Sequence, residues 1–76
     1  MIQGSRLREY RKARKVGQEE LAVELGRRFA STVCRMERRE LTDLEFAEAI
    51  AAIERIGDRR QRAASPERAM QKAGVA

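Results

Sequence analysis

Apolar positions recur along this chain at helical spacing and almost nowhere alternate as a strand would. Leu7 and Tyr10 lie three residues apart on one face, which predicts a first helix from Ser5, as N-cap, to about Lys15, ended by Val16-Gly17. Leu21, Ala22 and Leu25 then follow at i, i+1 and i+4. They predict a short second helix opened by Gln18 and stopped by Gly26, with Glu19 and Glu20 in the first turn, where the helix dipole favours negative charge. A third helix is predicted from Phe29 to about Arg38. At about 100° per residue from Val33, Met36 falls near 300° and Phe29 near 320°, defining a face to be buried. Ser31, Arg35 and Arg38 fall near 160°, 200° and 140° on the opposite side, by the same geometry, with Cys34 at its margin. A fourth helix, capped by Thr42 or Asp43, carries Phe46, Ala47, Ile50, Ala51 and Ile53 as its core stripe and is expected to stop near Gly57. Residues 57–76 are rich in Arg, Ala and Gln. They offer one short helix, with Ser65 as N-cap and Pro66 at its first position, whose Ala69, Met70 and Ala73 bury little area. The fold class is therefore all-α, with a domain over residues 1–56 and a tail or partner-dependent helix over residues 57–76.

Charge changes the picture. The 76 residues allow one small core, and their 17 Lys and Arg against 12 Asp and Glu leave a net +5. With no histidine, that charge hardly varies across neutral pH. Residues 1–39 hold 11 basic and 5 acidic side chains, so the whole excess lies in the first half. A polyanionic partner is the first expectation. A run such as Arg11, Lys12, Arg14 and Lys15 is by itself equally well a solvated helix face and needs support from elsewhere. Tyr10, Phe29 and Phe46 are the only aromatics, too few for the stacking platforms of single-strand binders, which leaves double-stranded nucleic acid as the better candidate. Cys34 is alone and can close no intramolecular disulfide; without histidine it completes no zinc site. No apolar run approaches the length of a membrane span, and no signal-peptide pattern opens the chain. The expectation is a soluble, cytoplasmic protein without metal or cofactor. Lacking the usual proton carrier and any distinctive carboxylate pair, it is not expected to be an enzyme.

Two short helices broken by a glycine, the second apolar inside and basic outside, make a helix-turn-helix. The run Gln18-Glu19-Glu20-Leu21-Ala22, Leu25-Gly26 and Ser31-Thr32-Val33-Cys34-Arg35-Met36-Glu37-Arg38 resembles the "Q-E-E-L-A…L-G…S-x-V-S-R-I-E-R-G" pattern of the Cro and phage-repressor helix-turn-helix family. Leu7 and Tyr10-Arg11 are similar to that family's "L-x-x-L-R" first helix, and Leu41 to Phe46 to its "L-D-x-x-E-F" entry into the fourth. The likeness covers residues 5–56. It implies a bundle of four to five helices of the lambda-repressor-like type, with the third helix in the major groove. By position it implies base reading by Ala30, Ser31 and Arg35, a phosphate contact from Gln18, and a partly buried ion pair between Arg11 and Glu37. Three departures stand out. Gly26 and Val33 are one residue further apart than in the pattern, which places Arg27 or Arg28 as an extra turn residue. If Phe29 instead takes the apolar turn position, the third helix begins later and Ala30 loses its base-reading place. Arg39 replaces the usual glycine after "E-R", and Gly17 stands where Ser or Thr often caps the second helix.

Elementary chemistry leads the same way. An outward arginine can give two parallel hydrogen bonds to guanine, which makes Arg35 the main candidate, with Ser31 and the Ala30 methyl as lesser ones. Arg28, Arg38 and Arg39 are expected to neutralise phosphates. The expected function is a double-stranded DNA-binding transcriptional regulator, a repressor acting as a homodimer on an inverted repeat. Ile53, Ile56 and Met70 are expected to supply the dimer contact, since they lie away from the groove face. Two rivals remain open: a protein-interaction module such as an antitoxin-like partner, and an accessory protein that binds DNA without reading sequence.

Overall fold

The computed structural model describes residues 1–64. It is mostly helical: β1 (Ile2–Gln3), α1 (Gly4–Ala13), α2 (Gln18–Glu24), α3 (Ala30–Glu37), β2 (Glu40–Leu41) and α4 (Asp43–Ala64) follow in order. Met70, proposed from sequence for dimerisation, lies outside the described residues, as does the helix expected after Ser65.

The start of α1 shows why two strands appear that periodicity does not predict. Ser5 is an exposed residue inside the helix; the N-cap is Gln3, which makes no side-chain cap bond. The chain entry is held instead by an antiparallel ribbon pairing Ile2 with Leu41 and Gln3 with Glu40, and the Gly4 N–H donates to the Arg39 carbonyl at 2.8 Å. Two-residue strands are too short to leave an alternating pattern. Gly4 permits the approach: a Cβ there would sit 2.1 Å from the Met36 carbonyl oxygen.

Helix ends are set by local hydrogen bonding. The expected stop of α1 at Val16-Gly17 is corrected to Ala13, because Lys15 takes the left-handed conformation at φ 56°. The Lys15 and Val16 N–H groups return to the Lys12 and Arg11 carbonyls, a Schellman closure whose apolar residue, Val16, is buried. Gly26, at φ 75°, closes α2 in the same way, with Arg27 N–H reaching the Ala22 carbonyl at 2.8 Å. Gly17 offers no side chain to cap α2; the Glu20 carboxylate accepts its N–H at 3.1 Å. Thr42 caps α4 in a reciprocal box. The Glu45 N–H donates to Thr42 Oγ1 at 3.1 Å, and the Thr42 N–H to Glu45 Oε1 at 2.9 Å.

The core collects Leu7, Leu21, Val33, Leu41 and Ile53, all fully buried. On α4 the buried stripe is Ala49, Ala52, Ile53 and Ile56, with Phe46 and Ile50 packed at its edge. Ala47 and Ala51, expected in that stripe, are exposed, one turn position off the packed face. The expected stop at Gly57 is also overturned. A single glycine costs only about 1 kcal/mol in a helix, and arginines on both sides of it pair with α2. Arg55 and Arg59 hold Glu24 at 2.9 and 2.8 Å, and Arg60 pairs with Glu20 while donating to the Lys15 carbonyl.

Candidate nucleic-acid interface

The exposed side of α3 is built by what its other side buries. Val33 is inaccessible and Met36 nearly so, which turns Ser31, Arg35 and Arg38 to the surface and leaves Ala30, Thr32 and Cys34 half-buried. The helix is locked in rotation by a polar contact within the core. Arg11 Nε donates to Glu37 Oε2 at 2.6 Å and Arg11 Nη2 to Glu37 Oε1 at 3.2 Å, while Arg11 Nη1 reaches the Val16 carbonyl at 2.9 Å. Both side chains are under a tenth exposed. One pair thereby ties α1, its closing turn and α3 together.

Several expected site residues stand elsewhere. The helical wheel places Phe29 on the buried face, yet it is 68% exposed. Its φ of −128° and ψ of 141° make it the N-cap, outside the helix, so the 100° step does not reach it. Gln18 donates its side-chain amide to Glu37 at 3.1 Å, so it reinforces the buried pair instead of offering that hydrogen to a phosphate. Arg39 is likewise committed. Its guanidinium forks onto Glu45 at 2.7 and 3.2 Å and donates to the Glu40 carbonyl. Beside Arg39 and capped by the Thr42 N–H, the Glu45 carboxyl is pulled down to about 2. Ile53 and Ile56 are inside the protein's own core and present no dimer surface. Arg28, Arg35 and Arg38 are exposed, as is Arg27, and none of the four forms an ion pair among the described residues. No family model, curated protein or solved structure matches this chain at significance.

Two acids of α2 also have partners. The bonds from Arg55 and Arg59 hold the Glu24 carboxyl below the usual range, and those from the Gly17 N–H and Arg60 do so for Glu20. Spacing the arginines at 55, 59 and 60 opposite glutamates at 20 and 24 is legible only once α4 is known to pass Gly57. These pairs engage Arg55, Arg59 and Arg60 of α4; exposed cations without an ion pair among the described residues remain around α3, along α1 at Arg6, Arg8, Lys12 and Arg14, and at Lys15 and Arg62. A cleft of about 240 Å³ between α3 and the start of α4 is lined by Arg27, Thr32 and Arg35 but also by Glu45 and Glu48. Those acids disfavour a phosphate on that flank, so a polyanion meets less repulsion from the side of Ser31 and Arg38. Among the described residues no group of three or more His, Cys, Asp or Glu could hold a metal ion. No helix there is long and apolar enough to cross a membrane.

Proposed function

We propose that the chain reads double-stranded DNA with α3, as a helix-turn-helix formed by α2 and α3. The observation that carries this reading is the division of α3 into a face buried at Val33 and Met36 and a face bearing exposed Ser31 and Arg35, with exposed Arg38 at its C-cap and unpaired Arg27 and Arg28 before it. The sequence resemblance to the Cro and phage-repressor family supports the same assignment. Arg35 gives paired hydrogen bonds to a guanine edge, and Ser31 and the Ala30 methyl make smaller base contacts. Arg28 and Arg38 hold phosphates and set register. Gln18 and Arg39 act inside the protein, as supports of α3 and of the α4 cap. An eight-residue helix is about 12 Å long and covers half a site, which favours a two-fold pair on an inverted repeat and repression by occlusion of the promoter.

Binding titrations at fixed salt test this, with the duplex enriched from a random pool set against its scrambled sequence. The reading expects a preference of about 10³-fold or more. Equal affinity for both duplexes would replace it with sequence-independent binding, and no affinity for either would return the protein-interaction reading.

A further inference from the structure

The three aromatic residues of the chain have different fates: Tyr10 and Phe46 pack against the core, whereas Phe29 is 68% exposed at the start of α3. Exposing a phenyl ring forgoes more burial than exposing any other apolar side chain here. Its surroundings restrict what can cover it. Arg27 and Arg28 precede it in the chain, Ser31 follows two residues later, and all three are exposed with no acid between them. Val23, 72% exposed on α2, makes the contrast, since it lines a hollow of about 500 Å³ in which Glu19, Glu20 and Glu24 stand with Arg28 and Arg59. Acids and arginines stand together around Val23 and offset one another, while the segment of Phe29 carries Arg27 and Arg28 without an acid and attracts phosphates. A ring set among cations suits a partner that is anionic overall yet carries apolar groups in a groove, and in duplex DNA that group is the thymine methyl.

We infer that Phe29 is a specificity-determining residue that contacts a thymine methyl beside the bases read by Arg35. The inference rests on the duplex reading above and adds a residue that the helical wheel assigns to the core. Because the ring lies outside the core, Phe29→Ala retains the fold, which thermal melting followed by circular dichroism checks independently.

The test uses the full chain and the duplex it selects, with each thymine replaced singly by deoxyuridine, which removes the methyl and leaves base pairing intact. Wild type should lose about three- to tenfold in affinity at one thymine, the worth of one buried methyl with its packing. Phe29→Ala should bind the parent duplex more weakly and be indifferent to that same replacement. If wild type and Phe29→Ala respond alike to every replacement, the assignment is overturned while the duplex reading stands. A change in sedimentation of Phe29→Ala with unaltered base preference would also overturn it, assigning the ring to a contact between copies. A wild type that selects no duplex sentences both readings together.

Discussion

The buried contact among Arg11, Glu37 and Gln18 decides the rotation of α3, because Arg11 donates to both carboxylate oxygens of Glu37 and Gln18 adds a second donor to Oε1. Removing one member leaves the other charge buried without its partner. Glu37→Leu or Arg11→Met alone should cost about 3–5 kcal/mol in chemical denaturation, and the pair replaced together considerably less than the sum. Backbone conformation gives two further expectations. Lys15 occupies the left-handed region that suits glycine, so Lys15→Gly should stabilise by about 1 kcal/mol in the same assay. Gly4→Ala should destabilise by about 1–3 kcal/mol or more, since its new methyl meets the carbonyls of Met36 and Arg39. Neither position is legible from periodicity. A lysine at a helix end and a glycine near a chain start become informative only when the neighbouring backbone is in place.

At the scale of elements, the four helices were legible because their apolar spacing is helical and their end signals are local. Gly26 and Thr42 act where the sequence places them, as a stop and a cap. What was not legible depended on contacts distant in sequence. The ribbon of β1 and β2 joins residues about 40 apart, and α4 continues past Gly57 while its arginines meet acids of α2. The exposed ring of Phe29 escaped for a third reason, that a wheel presumes a helix and this residue precedes one. The cap of α4 carries a pH prediction. Glu45 titrates near 2 in the fold against an ordinary 4.5, so it binds protons less readily folded than unfolded. Its contribution is complete above about 4.5 and falls away as pH drops toward 2. Wild type should therefore exceed Glu45→Gln in stability at pH 6 and converge on it near pH 2, as read by denaturant midpoints. Ile53→Ala should lower stability by about 2–5 kcal/mol, because Ile53 is a core residue.

For the whole molecule, the arrangement of charge matters more than its total. Arg55, Arg59 and Arg60 are engaged with α2, Arg39 with Glu45 and Arg11 with Glu37, whereas Arg27, Arg28, Arg35 and Arg38 around α3 are exposed without an ion pair among the described residues, as are Arg6, Arg8, Lys12, Arg14, Lys15 and Arg62. Phosphate contacts and base contacts then separate by experiment. Arg38→Ala should weaken all duplexes alike and lower the slope of log affinity against log salt by about 1. Arg39→Ala should act mainly on the stability of the α4 cap. The central claim, that α3 reads bases through Arg35, is tested most directly by selecting duplexes from a random pool with wild type and with Arg35→Ala. The account predicts a wild-type consensus that Arg35→Ala relaxes at one base pair per half-site while keeping the rest. An Arg35→Ala consensus identical to that of wild type would contradict it.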